Sequence, residues 1–189
     1  MKDRLLPVLV IMTASVMACG AAREVSIPDT TVAPASAPWT TGQVMLGGIA
    51  HRAIGHPPIT PPAVLWSIRH VVHDRFDRLV FECEPGAGPG IRAEYIDGPA
   101  RQCASGEVVP LAGDAWLQLK MSNLLVHGEE GHPANVARSQ TLNMPIIKEL
   151  KLTCDLKGEV TWVLGVSSRQ KYRLFLLDNP PRYVVDVQH

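Results

Sequence analysis

The stretch HDRFDRLVFECE, residues 73–84, begins with five charged or titratable side chains and ends in an apolar run. In that run Leu79, Phe81 and Cys83 lie on one face of an extended chain, because successive side chains of a β-strand point to opposite sides. The other face carries Glu82. The pattern therefore predicts a β-strand with one face in a protein core and the other in a wetter environment.

Runs of the same kind fill the chain from Ala63 onward. They are separated by PGAGPG, DGPA, AGD, DLKG and DNPP, whose residues favour the backbone angles of turns. The predicted strands cover residues 64–72, 78–84, 90–97, 107–111, 115–122, 149–154, 159–166, 172–178 and 182–187. Short strands with regular turn signals favour an all-β fold, and we predict a compact β-sandwich over residues 63–189. The polar stretch 123–145 is predicted to be a long loop.

The first residues of the chain have the composition of an export signal. Lys2 and Arg4 precede the apolar residues 5–17, a run too short to span a membrane, which takes about 20 residues. The following VMAC, residues 16–19, is similar to the lipobox of bacterial lipoproteins. We predict a signal peptide over residues 1–18 and a lipid on Cys19 that holds the protein at the extracytoplasmic face of the cell membrane. Cleavage at the same bond without lipid attachment is the alternative.

Residues 19–62 are rich in Pro, Ala, Thr, Ser and Gly and have little apolar periodicity. Such a composition buries too little apolar surface to offset the entropy of folding, so a flexible tether is predicted. Within it, QVMLGGIAHRAI, residues 43–54, could form a short strand or helix.

The charges of the chain exclude one class of partner. Lys plus Arg and Asp plus Glu number 18 each. No basic surface is available to release counterions from a phosphate backbone, so no nucleic-acid partner is predicted.

Three cysteines follow the predicted lipid site, and at least one of them must lack a partner within the chain. Leu150, Leu152 and Cys154 are in phase, so Cys83 and Cys154 are both predicted to point into the core. We predict a disulfide between these two, with two buried thiols as the alternative, while Cys103 lies in a polar turn region. The spacings are long and lack CxxC, so neither a metal site nor a cofactor is predicted.

The charged cluster at residues 73–78 has two interpretations, a general acid/base set or the solvated start of a strand with surface ion pairs. A pattern of Arg, three apolar residues and an acid occurs twice, from Arg78 to Glu82 and from Arg182 to Asp186. This recurrence favours the strand interpretation. No GxSxG, HExxH, Walker or Rossmann motif is present in the sequence, and a non-enzymatic protein is predicted.

Two segments carry a family resemblance, HDRFDRLVFE near the start of the predicted domain and FLLDNPPRYVVDV near its end. Together with RAEYID, VVPLAGDAWLQLKMS and VTWVLGVSSRQKYR they resemble the AMIN-like domain of exported bacterial lipoproteins. That domain is similar to the AMIN domain found beside cell-wall amidases and pilus secretins. The resemblance implies a compact β-sandwich that is targeted to the cell envelope and contacts peptidoglycan without performing chemistry.

Three tryptophans, Trp66, Trp116 and Trp162, lie in predicted strands, where core packing is the default. Trp116 differs because it shares its face with Gln118 and Lys120, so an exposed indole there could stack on a sugar ring or cap the sheet edge.

Our first hypothesis is therefore that the protein binds a wall glycan, with Arg78, Arg182 and Trp116 as candidate contacts. A docking module for another envelope protein is the second hypothesis, and it predicts an exposed apolar patch on one sheet face. A wall hydrolase is the third, and no nucleophile or metal constellation in the sequence supports it.

Overall fold

The computed structural model describes residues 37–47, 61–84, 88–126 and 136–189. The predicted signal peptide, Cys19 and most of the predicted tether lie outside these ranges. No helix in the described ranges has the length and apolar character needed to span a lipid bilayer.

The predicted all-β sandwich is confirmed, and the described ranges contain strands and no helix. The strands in chain order are β1 (Val44–Leu46), β2 (Ala63–His73), β3 (Phe76–Cys83), β4 (Gly90–Ile96), β5 (Ala115–Ser122), β6 (Leu124–Leu125), β7 (Ser139–Thr141), β8 (Ile147–Leu156), β9 (Glu159–Val166), β10 (Tyr172–Leu177) and β11 (Arg182–Gln188). They form a six-stranded sheet in the order β1-β4-β5-β9-β8-β7 and a five-stranded sheet in the order β10-β11-β3-β2-β6. The stretch 123–145, predicted to be a long loop, contains the short strands β6 and β7, and its residues 127–135 lie outside the described ranges.

The core lies between the two sheets, as the alternating patterns predict. Leu79, Phe81 and Cys83 are buried on the inner face of β3. Trp162 on β9 is fully buried, with its ring centroid 6.2 Å from that of Phe81, so the prediction of a core tryptophan is confirmed there. Trp66 contradicts the same prediction with 51% of its surface exposed. It lies at a β-bulge in β2, on the face opposite the buried residues at the start of that strand.

Residues 37–47 of the predicted tether, which we call the N-terminal strap, pair with both sheets, and the short strand suggested within residues 43–54 is present as β1. Residues 48–54 of that stretch lie outside the described ranges. Val44–Leu46 pairs with β4 at the edge of the six-stranded sheet. Thr40 exchanges two backbone hydrogen bonds, of 2.8 and 2.7 Å, with Tyr172 at the edge of the five-stranded sheet. The Tyr172 hydroxyl donates to the carbonyl of Gly42 at 2.6 Å. The strap therefore joins the edges of both sheets on one side of the sandwich.

Residues 107–111 form no strand, contrary to the prediction. They belong to the crossing loop, residues 97–114, which links β4 to β5 and folds back over the outer face of the six-stranded sheet. Within the loop, Val108 forms only an isolated bridge with Arg101. Gly165 on β9 lies directly beneath the loop, because a Cβ at that position would come within 1.8 Å of the Ala112 carbonyl oxygen. The close contact leaves no room for a side chain there.

The predicted disulfide between Cys83 and Cys154 is wrong, and so is the alternative of two buried thiols. Cys154 is bonded to Cys103, and Cys83 is a free, buried cysteine. The cause is a bulge in β8 between Leu152 and Cys154, which shifts the phase of the strand by one residue. Cys154 therefore lies opposite Thr161 on the outer face, where the crossing loop brings Cys103 to it.

Candidate functional site

Arg78 is buried and cannot be the ligand contact that the sequence suggested. Its guanidinium donates two hydrogen bonds to the Asp186 carboxylate, from Nε at 2.6 Å and from Nη2 at 2.8 Å. Arg173 donates to the same carboxylate through Nε at 2.7 Å. Trp39 of the strap lies over the Arg173 guanidinium, 4.4 Å from the ring centroid. Two arginines thus share one buried acid beneath an aromatic side chain, which is a stabilising arrangement with little access for a ligand.

The repeated pattern of Arg, apolar residues and acid has a geometric explanation. Strands β3 and β11 are antiparallel neighbours, with Arg78 opposite Asp186 and Arg182 opposite Glu82. The arginine of each pattern therefore lies opposite the acid of the other pattern. The prediction of surface ion pairs is wrong for Arg78, whose ion pair with Asp186 is buried. Asp77 is also buried and accepts hydrogen bonds from the backbone N–H groups of Ile146 and Ile147, at 2.7 and 2.8 Å.

Arg182 is half-buried, and its Nε donates to the Pro180 carbonyl at 3.3 Å. It lies on the five-stranded sheet, as does Arg78, whereas Trp116 lies on the six-stranded sheet. The three candidate contacts therefore do not form one site, and Trp116 lines a recess that contains neither candidate arginine.

That recess, which we call the Trp116 recess, is open to solvent and has a volume of about 290 Å³. It lies where β4 ends, β5 begins and the segment after β9 returns. Its lining consists of Ile96, Asp97, Asp114, Ala115, Trp116 and Arg169. Trp116 is half-buried, so its indole is held by the protein and still offers a surface to solvent.

Arg169 is the cation of the recess and is held by two contacts. Its guanidinium lies 5.1 Å from the centroid of the Tyr95 ring, and its Nη2 lies 2.7 Å from an Asp97 carboxylate oxygen. Tyr95 is itself fixed, since its hydroxyl donates to the Gln170 carbonyl at 2.8 Å and accepts from the Gln170 N–H at 3.1 Å. Burial raises the pKa of Tyr95, so the ring remains a neutral platform beneath the guanidinium at physiological pH.

A strip of polar side chains continues from the recess along the outer face of β4 and β5. Gln118 and Lys120 share the face of Trp116 and are half-buried like it, while Leu117 and Leu119 are buried on the opposite face. Across the ladder, Glu94 lies opposite Gln118 and Arg92 lies opposite Lys120. The site therefore combines one flat aromatic surface with hydrogen-bond donors and acceptors on rigid strands.

Sequence reasoning found Trp116 and missed Asp97, Asp114 and Arg169. Asp97 and Asp114 lie in a predicted strand end and a predicted turn, and Arg169 lies between two predicted strands. A signal was available for two of them, because a β4–β5 hairpin must bring the two ends of its loop together, and Asp97 and Asp114 are those ends. In the part of the chain that the structure describes, no group of three or more His, Cys, Asp or Glu could hold a metal ion.

Comparison with known families identifies a match for the folded part of the chain. The family model described as AMIN-like domain matches residues 63–189. No curated protein and no solved structure matches the chain. The matched residues include the Trp116 recess and the two segments from Arg78 to Glu82 and from Arg182 to Asp186. They do not include the N-terminal strap.

Proposed function

The chain belongs to the AMIN-like domain family, and on that basis we propose that it is a non-enzymatic binding module of the cell envelope that contacts peptidoglycan or another wall glycan. The observation that carries the proposal is the half-buried Trp116 in an open recess beside a polar strip. Ligand sites in proteins commonly pair apolar and aromatic surface with a few fixed polar groups. A pyranose ring offers the matching chemistry, with C–H groups on its faces and hydroxyls around its edge.

The first test measures co-sedimentation of the full chain, kept in mild detergent, with purified insoluble peptidoglycan across a salt series. We expect saturable binding that persists at high salt, since stacking and neutral hydrogen bonds are not screened by ions. Trp116→Ala is expected to weaken binding about five- to tenfold, which corresponds to the loss of an aromatic contact of about 1 to 1.4 kcal/mol.

Trp66→Ala is the matched control, because it removes a second exposed tryptophan from the other sheet. If both substitutions weaken peptidoglycan binding equally, the glycan does not make its main contact in the Trp116 recess. Binding that disappears at high salt would indicate nonspecific ion exchange and would count against glycan recognition.

A docking module for an envelope protein remains the second candidate, and Trp66 is the observation that favours it. Among the described residues, β2 pairs along one side with β3, while its other side pairs with β6 only at Ala63 and Val64. An extended segment of a partner could add to such an edge. A photocrosslinker at position 66 that captures no discrete envelope protein, in cells where peptidoglycan binding is intact, would reject this candidate.

Membrane attachment through a lipid on Cys19 is part of the proposal. The chain between Cys19 and the first described residue, at position 37, could span at most about 60 Å if fully extended. We expect the intact mass of the membrane-extracted protein to equal that of the chain from Cys19 plus its lipid. A mature protein of unmodified mass in the medium would contradict the anchor.

A further inference from the structure

We infer that the Trp116 recess selects glycans that carry a carboxylate, and that Arg169 is the residue that binds this carboxylate. The inference rests on the proposed function, because it names the ligand chemistry of the same site. Trp116 supplies a surface for a sugar ring in this arrangement, and Arg169 determines which sugars bind best.

The guanidinium of Arg169 is oriented before any ligand arrives. It stacks on Tyr95, whose ring meets Tyr172 edge-on at 5.8 Å and whose hydroxyl is held by Gln170. Tyr172 in turn is fully buried. A guanidinium fixed on one face still presents N–H donors at its edge, in the planar geometry that matches a carboxylate. The arginine therefore loses little side-chain entropy on binding an anion.

The present partner of Arg169 is easily exchanged. The Asp97 side chain is 92% exposed and that of Arg169 is 48% exposed. Exposed ion pairs contribute little to stability, because water solvates both charges well. A ligand carboxylate that is held nearby by stacking on Trp116 can therefore replace Asp97 at the guanidinium at small cost.

Asp114 fixes the orientation of the ligand. It lines the recess as a second carboxylate and has no ion pair among the described residues. A ligand anion is repelled from that wall, while hydroxyl and amide N–H groups can donate to it. The recess thus fits a sugar with an acidic substituent on one side and neutral donors on the other.

The test compares two probes of equal length with the full chain in mild detergent. The acidic probe is a disaccharide of N-acetylglucosamine and N-acetylmuramic acid, and the neutral probe is the disaccharide of N-acetylglucosamine alone. We expect the acidic probe to bind at least about fivefold more tightly, within the range of a charge-assisted hydrogen bond. Arg169→Gln is expected to abolish this difference, and Asp97→Asn to raise affinity for the acidic probe alone by about two- to threefold.

Arg69→Gln is the matched control, since it removes an arginine of similar exposure that also pairs with a carboxylate but lies on the other sheet. We expect it to leave the preference for the acidic probe intact, with unfolding temperatures unchanged in all three variants. A preference that survives Arg169→Gln overturns the inference. Equal, Trp116-dependent binding of both probes overturns carboxylate selection and leaves glycan binding standing, whereas binding of neither probe overturns both.

Discussion

Replacing Asp186 by asparagine is expected to lower the free energy of unfolding by about 3 to 5 kcal/mol, the usual cost of removing one partner from a buried ion pair. Asp186 has a fully buried side chain that accepts from both Arg78 and Arg173. An amide at this position keeps the shape but removes the negative charge, and its nitrogen presents donors to guanidinium donors. The buried Arg78 guanidinium then loses its bidentate carboxylate partner, and Arg173 loses the same negative charge. Thermal unfolding, monitored by circular dichroism, should show a midpoint lowered by about 10 to 20 °C.

Glu82→Gln is the control for this substitution because it makes the same chemical change on the neighbouring strand. The Glu82 carboxylate pairs with Arg69 at 2.6 Å, but the Arg69 side chain is largely exposed. Water can solvate Arg69 once its partner is neutral, so we expect Glu82→Gln to lower the free energy of unfolding by less than about 1 kcal/mol. Similar losses in the two variants would mean that the Asp186 cluster is solvated in solution, contrary to the buried geometry.

The same cluster shows where sequence patterns stop being informative. Period-two alternation correctly placed Leu79, Phe81 and Cys83 in the core, because that period follows from strand geometry alone. It could not show that β3 and β11 are neighbours, or that Trp39 lies over Arg173, since both depend on contacts distant in sequence. An Arg–acid pattern on the outer face therefore looked solvated although it is buried.

Local irregularities had a similar effect on the cysteines. A bulge changes the phase of a strand by one residue and leaves no clear mark in the sequence. The bulge in β8 therefore reversed the expected position of Cys154. Trp66 was misplaced because core packing was taken as the default for a tryptophan, whereas the buried Ala63 and Leu65 put it on the opposite, outer face of β2. The strap was predicted only in part, as a short strand or helix within residues 43–54. Its Pro- and Gly-containing composition is typical of a linker, and its order depends on the two sheet edges that it joins.

The candidate site was predictable only in part. Trp116 could be identified because its strand alternates cleanly. Asp97 and Asp114 follow from hairpin geometry once β4 and β5 are known to pair, whereas Arg169 enters from the segment after β9. Its role depends on the ring of Tyr95, which the sequence alone does not place beneath it.

Removal of the disulfide is the second substitution with a large expected effect. Cys103 and Cys154 are separated by 51 residues in the sequence. In the chain-entropy model, a cross-link that closes a loop of this size stabilises the folded state by about 4 kcal/mol. We therefore expect Cys103→Ser combined with Cys154→Ser to lower the free energy of unfolding by roughly that amount, measured by urea denaturation.

Chemical reduction provides the internal control. A reductant should lower the urea midpoint of the unmodified protein toward that of the double variant and should leave the double variant unchanged. Cys83→Ala removes a buried sulfur but no cross-link, so it should lower the free energy of unfolding by only about 1 kcal/mol. The urea midpoint of this variant should still fall when a reductant is added. A midpoint of the unmodified protein that does not respond to reductant would contradict a stabilising disulfide.

The buried thiol should not disturb this experiment. Burial, reinforced by the nearby Glu82 charge, raises the pKa of Cys83 to about 12, so the thiolate that attacks disulfides is scarce at neutral pH. Exchange between Cys83 and the Cys103–Cys154 pair should therefore be negligible while the protein stays folded.

The crossing loop carries Asp97 and Asp114 at its two ends and is cross-linked to β8 by the Cys103–Cys154 disulfide. The double variant should accordingly hold Asp114 less firmly as an acceptor for neutral donors, and bind both disaccharides more weakly even under conditions in which it is fully folded.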